Sequence, residues 1–247
     1  MTGTRTYEIT RRYTLRTEAT PRTLAVGEAF GVSLDDAHTF TVFENFALDV
    51  DPGDVIYIHG DSGSGKSTLL KELRHQHPNG AASWELSIDP DTPIINAVGR
   101  DIDEAFYLLT VVGLNDAFLY LRKYRELSDG QKYRFTLAKM LESNADAFFV
   151  DEFCSILDRD TAKIVAFNMQ KVCRKYGKTL FVATAHSDLA ADLHTDTIVR
   201  KGMAKAVEVL YPYHPPAPHR CSLDAELSNL GSRYRMNPFS VFCHLLA

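Results

Sequence analysis

Residues Gly60-Asp61-Ser62-Gly63-Ser64-Gly65-Lys66-Ser67-Thr68 read G-x-x-x-x-G-K-S, a spacing that suits phosphate. The glycines let successive backbone N–H groups turn inward around phosphate oxygens. Lys66 reaches the terminal phosphates as a point charge, and the Ser67 hydroxyl can complete a Mg²⁺ shell. The flanks agree. Residues 54–59 (DVIYIH) form a β-branched and aromatic run that predicts a strand. Residues 67–77 (STLLKELRHQH) carry apolar side chains at 69, 70 and 73, which predicts a helix. A bound anion would sit at that helix's N-terminus, where unpaired N–H groups and the dipole favour negative charge. The stretch therefore predicts an α/β fold built on a P-loop nucleoside-triphosphatase core.

The 247 residues suffice for one large α/β domain, and 45% hydrophobic with 24% charged residues is ordinary for a globular protein. A net charge of −5 gives no global nucleic-acid signal. Four cysteines without a C-x-x-C pair suggest reduced thiols and a cytoplasmic setting. The N-terminus lacks an apolar signal core, and no run is long enough to span a bilayer, so direct membrane insertion is not expected.

Residues 1–24 carry five arginines (5, 11, 12, 16, 22) and alternate Thr, Tyr and Ile, which predicts a strand with a solvated basic side. A short helix is expected over 25–34, a strand over 39–49, and a turn at Pro52-Gly53. After a stop at 77–80, residues 83–88 (SWELSI) predict another strand. Residues 101–112 predict a helix capped by Asp101, and a second helix is expected near 116–125. These belong to a small helical insert spanning about 89–130. Buried parallel strands are predicted at 147–150 (AFFV) and 178–184, separated by a helix over 158–176 that Gly177 closes. Residues 197–200 and 204–211 predict a hairpin. The chain thus divides into a domain at 1–211 and, from Pro212, a proline-rich linker and C-terminal extension at 212–247 with a short helix. His214, His219 and Cys221 lack a fourth ligand and read as a plain tail rather than a metal site.

Further motifs follow the phosphate loop in fixed order. Residues 127–131 read L-S-D-G-Q, with Arg134, Ala138 and Lys139 after them. Asp151-Glu152 ends an apolar run, Ile156-Leu157-Asp158 follows, and His186 lies just beyond the next strand. In this order the chain resembles the ATP-binding-cassette (ABC) ATPases over about residues 39–210. The resemblance implies a mixed, mainly parallel sheet flanked by helices, an N-terminal antiparallel β subdomain, and a helical insert carrying the signature L-S-D-G-Q. It implies an ATPase that binds ATP and Mg²⁺. Gly60, Asp61, Ser62, Gly63, Ser64, Gly65, Lys66, Ser67 and Thr68 would hold the nucleotide, with Ser128, Asp129, Gly130, Gln131 and Asp158 completing the site. Ser67 and Asp151 would hold the metal. Glu152 would act as general base, with Lys66 and His186 supporting catalysis. The signature acts in trans in this family, which implies a head-to-tail homodimer, or pairing with a related ATPase subunit, around two ATP molecules.

The sequence departs from the family in places. Asp129 replaces the usual second signature glycine. The glutamine that transporter cassettes place between the phosphate loop and the insert is missing; Gln76 falls inside a helix, and Asp91 or Asn96 could stand in. The interval from Lys66 to Ser128 is short. These features are similar to small stand-alone cassettes, including those fused to acetyltransferase-like domains, on Val26–Leu34, 92–99 and 113–117. His38, Phe40 and Phe43 are candidates to stack on adenine. The resulting expectation is an ATP-driven dimerisation switch acting on an unknown protein or nucleic-acid client. The alternative is the nucleotide-binding subunit of a membrane transporter, and a non-hydrolysing nucleotide module is a third reading.

Overall fold

The structure, a computed structural model, describes residues 3–32, 38–202 and 207–212. The basic N-terminal segment forms strand β1 (Arg5–Leu15) and helix α1 (Pro21–Phe30), and β2 (His38–Val50) returns antiparallel to β1. Helix α1 starts earlier than its apolar residues suggest. Thr20 closes a capping box with Thr23, and Pro21 supplies a preset φ at the first turn. Strand β3 (Val55–Gly60) leads into the phosphate loop and helix α2 (Lys66–Gln76).

The strand expected at 83–88 is instead a short β4 (Gly80–Ala82) followed by a turn. Ser83 N–H still donates to Phe149 O at 2.9 Å, but Glu85 N–H turns back to Ala82 O at 3.0 Å and ends the pairing. The helical insert holds α3 (Ile102–Val111), capped by Asp101 as expected, and α4 (Ala117–Tyr120). The helix expected near 116–125 stops early because the chain pairs with the loop at 92–94. Ile94 N–H donates to Arg122 O at 3.0 Å, and Pro93 bridges Lys123. Helix α5 (Asp129–Glu142) follows, then β5 (Ala147–Val150), α6 (Arg159–Lys175), β6 (Thr179–Thr184), β7 (Thr197–Lys201) and β8 (Val207–Leu210). The proline-rich stretch, its helix, and His214, His219 and Cys221 lie outside the described residues.

The six-stranded sheet has the order β4-β5-β6-β3-β7-β8, parallel except for β8. Strands β3, β5 and β6 are buried on both faces, which is why they read as continuous apolar runs. Val55, Tyr57, Phe148, Val150, Leu180 and Val182 face α3, α5 and α6. Ile56, Ile58, Phe149, Phe181 and Ala183 face the other way, onto Leu69, Leu70 and Leu73 of α2 and onto the β1–β2 sheet. The phosphate-loop helix is thereby held between two sheets.

At the end of the sheet where β5 and β6 begin, Tyr7 hydroxyl lies 2.6 Å from His77 Nδ1, and His77 Nε2 lies 2.6 Å from Asp146. Burial pushes the Tyr7 phenol up to about 12, so it stays protonated and donates to Nδ1. That fixes the Nε2–H tautomer toward Asp146 and ties β1, the end of α2 and the start of β5 together. Phe149 and Phe181 stack beside it at 4.6 Å. Phe149→Ala should destabilise the fold by about 3–5 kcal/mol, seen as a lower urea midpoint; an unchanged midpoint would contradict this packing.

Candidate functional site

Strand β3 ends at Gly60 with φ +150, where a Cβ would come within 1.8 Å of Lys201 O. Only glycine lets the chain leave the sheet beside β7 and enter the loop. At Gly65, φ is +103 and a Cβ would strike Val42 Cγ1 at 2.7 Å. β2 therefore packs directly on the turn that starts α2. Lys66 is nearly buried, and its Nζ donates to Gly60 O at 2.9 Å and Asp61 O at 2.7 Å. The ammonium is folded back over its own loop. Ser64 is also buried, and its hydroxyl has no partner among the described residues. An orphaned hydroxyl inside a loop of inward-turned amides is what a phosphate-binding cradle leaves for its ligand.

Ser67 Oγ donates to Asp151 Oδ1 at 3.0 Å. Strand β5 lies two strands from β3, and this order brings the end of one strand onto the helix that follows the other. A hydroxyl and a carboxylate meeting beside a phosphate loop form a donor set suited to Mg²⁺, a hard cation that prefers oxygen ligands. Asp151 also accepts from Glu152 N–H at 3.0 Å, while the Glu152 side chain is exposed. Glu152 has φ +49 and Cys154 has φ +56, two non-glycine residues in the left-handed region of one turn. Phe153 N–H fastens that turn to Ala183 O at 2.8 Å.

His186 is exposed just past β6. Its carbonyl accepts from the Tyr57 hydroxyl at 2.6 Å, and its N–H reaches Thr184 Oγ1 at 3.3 Å. Tyr57 reads from the sequence as an ordinary core residue of β3, and nothing in the local pattern signals this role. Arg159, at the start of α6, pairs with Asp188 beyond His186 and holds its carboxyl below the usual range. Asp158 caps α6 by accepting from Thr161 N–H at 2.9 Å.

In the signature, Ser128 and Gln131 form a reciprocal capping box at the start of α5. Ser128 and Asp129 are exposed, and Gly130 lies against Leu157, whose Cδ2 an added Cβ would meet at 3.4 Å. Arg134 donates to Gly113 O at 2.6 Å, tying α5 to the turn after α3. Of the two residues weighed as stand-ins for the missing glutamine, Asn96 is exposed, with its N–H on Pro93 O at 2.9 Å, and Asp91 is engaged inside the insert; Gln76 itself belongs to α2. Asp91 pairs with Arg125 at 2.6 Å and Lys123 at 3.6 Å within the insert. Gln76 bonds the backbone of Glu8 on β1.

Of the adenine candidates, Phe43 is 1% exposed and belongs to the core, where it packs near Gly65. Phe40 is 58% exposed. Its cross-strand partner Tyr13 is 39% exposed, carries Arg11 5.0 Å from its ring centre, and interacts with Thr68. Tyr13 sits far upstream in a stretch that reads as a plain basic strand, and its pairing with Phe40 adds it to the candidates. The His38 side chain lies outside the described residues.

A family model described as ABC transporter matches residues 43–96. The chain is similar to ABC-type ATPases. The cassette is 29% identical over 200 residues to the manganese transport system ATP-binding protein MntB of Bacillus subtilis, covering 65% of this chain and 78% of that protein. It is 28% identical over 196 residues to the energy-coupling factor transporter ATP-binding protein EcfA1 of Leuconostoc mesenteroides, covering 64% and 71%. The alpha-hemolysin translocation ATP-binding protein HlyB of Escherichia coli is 28% identical over 68% of this chain, which spans only 28% of that protein's length. The dimeric ATP-binding cassette MJ0796 bound to ADP and Pi superposes with a TM-score of 0.60 at 17% identity, over 85% of this chain and all of that one. No helix among the described residues is long and apolar enough to cross a membrane. Lys66→Ala removes the loop's buried ammonium and should weaken ATP binding about 10- to 100-fold, the value of one or two charge-assisted hydrogen bonds. Titration with a fluorescent ATP analogue reads this directly, and unchanged affinity would remove Lys66 from the site.

Proposed function

We propose that the cassette hydrolyses MgATP as half of a head-to-tail pair and works as an ATP-driven dimerisation switch. The observation that carries the reading is the meeting of Ser67 with Asp151 at 3.0 Å, next to an exposed Glu152. Mg²⁺, when bound by Ser67 and Asp151, supplies charge neutralisation to the phosphates. Gly60 through Thr68 bind and orient the nucleotide, and Lys66 turns from the loop carbonyls to the terminal phosphates. Glu152 accepts a proton from water as that water attacks the γ-phosphorus and the bond to the ADP oxygen breaks. His186 hydrogen-bonds the γ-phosphate or the water from the other side.

Ser128, Asp129, Gly130 and Gln131 stand at the N-terminus of α5, with Ser128 and Asp129 exposed and Gly130 and Gln131 half-buried. That exposure supports a role on the nucleotide of a second copy, or of a related ATPase subunit. Asp158 caps α6 and follows Leu157, which lies against Gly130. Asp129 adds negative charge there and weakens closure compared with a glycine.

The client is a protein or nucleic acid. The engagement of Gln76 with β1 and of Asp91 within the insert supports the stand-alone group that includes cassettes fused to acetyltransferase-like domains. A second reading, the nucleotide-binding subunit of a membrane transporter, is favoured by the similarity to MntB and EcfA1, ATP-binding proteins of transport systems. Copurification with a membrane protein selects the transporter reading.

Glu152→Gln should bind ATP, lose roughly 10²–10⁴-fold in hydrolysis, and elute as an ATP-dependent dimer on a sizing column. A variant that stays monomeric with ATP contradicts the paired mechanism.

A further inference from the structure

The turn that carries Glu152 is strained at two residues, and one of its anchors comes from the signature helix. Cys154 is fully buried with φ +56, and its N–H donates to the Tyr133 hydroxyl at 2.8 Å. Tyr133 stands on α5, five residues past Ser128, and packs its ring into the core beneath the sheet. We infer that Tyr133 is a positioning residue that couples the signature helix to the catalytic turn by holding Cys154, and through it Glu152, in the left-handed conformation.

Three features make the case. A left-handed non-glycine residue persists only where its surroundings over-determine it. Here the turn's two inner amides each have one anchor: Phe153 N–H on Ala183 O at 2.8 Å, and Cys154 N–H on Tyr133. The first anchor belongs to β6, the strand that leads to His186, and the second to the helix that Ser128 caps. Burial holds the Tyr133 phenol well above its ordinary range, so it remains neutral and keeps a proton to share with the Cys154 thiol while its oxygen accepts the amide. Phenylalanine at this position keeps the ring and its packing and removes the hydroxyl, leaving Cys154 N–H buried without its acceptor and the thiol without the shared proton. The capping box, Gly130 against Leu157, and the Tyr133–Cys154 bond together give α5 a short path to Glu152. A shift of the signature on meeting a second copy therefore reaches the base through one hydrogen bond.

The inference rests on Glu152 acting as general base. The test uses the full chain with MgATP and compares Tyr133→Phe, Cys154→Gly and Glu152→Gln for kcat, KM and ATP affinity. Tyr133→Phe should lower kcat at least tenfold while KM and ATP affinity stay within twofold. Cys154→Gly keeps the N–H donor and accepts the positive φ without a side chain, so it should retain near wild-type kcat. If Tyr133→Phe keeps wild-type kcat, the coupling is refuted. A parallel loss of kcat and ATP affinity in Tyr133→Phe also refutes it, because that marks a general structural role. If Cys154→Gly loses as much kcat as Tyr133→Phe, the thiol and not the backbone bond is responsible, and the inference fails. Glu152→Gln separates the levels: wild-type hydrolysis in that variant overturns the catalytic reading itself, whatever Tyr133 does.

Discussion

The contact between the Ser67 hydroxyl and the Asp151 carboxylate is the constraint around which this molecule is arranged. It joins two segments separated by the whole helical insert. The sheet order, with β5 and β3 on either side of β6, brings them together. The same order places the Glu152 turn and His186 at one end of the sheet, since β5 and β6 are parallel and end side by side. In open α/β sheets this carboxyl end of the strands is where ligands gather. The burial of β3, β5 and β6 on both faces makes that end rigid. Sandwiching α2 between two sheets fixes the helix dipole that a bound anion would meet.

The opposite end of the sheet shows how the scaffold resists slippage. The Tyr7–His77–Asp146 chain links β1, the end of α2 and the entry to β5. Both ends of α2 are therefore constrained: one by Val42 against Gly65, the other by His77. A phosphate loop made of glycines gains its shape from such neighbours, because its own residues restrict the backbone little.

Much of this was legible in the sequence, for a chemical reason. Phosphate and Mg²⁺ demand glycines, a lysine, a hydroxyl and a carboxylate at set spacings, so Gly60 to Thr68, Asp151 and Glu152 announce themselves. Doubly buried strands such as 147–150 do so as unbroken apolar runs. What stayed hidden depends on partners distant in sequence. Residues 83–88 alternate like a strand, yet β4 had already ended, and the pairing of 92–94 with 122–124 cut a predicted helix short. Phe43 looked like a stacking candidate until burial placed it in the core. Tyr57, Tyr133 and Arg159 hold the loops of the candidate site through long-range bonds that no local pattern encodes.

The proposed hydrolysis depends on a divalent ion shared by Ser67 and Asp151 beside a bound triphosphate. Electron paramagnetic resonance titration of Mn²⁺ into the full chain with a non-hydrolysable ATP analogue measures that sharing. Ser67→Ala and Asp151→Ala should each weaken Mn²⁺ binding at least about tenfold, while metal-free binding of the analogue stays unchanged. Wild-type Mn²⁺ affinity in both variants would contradict the site.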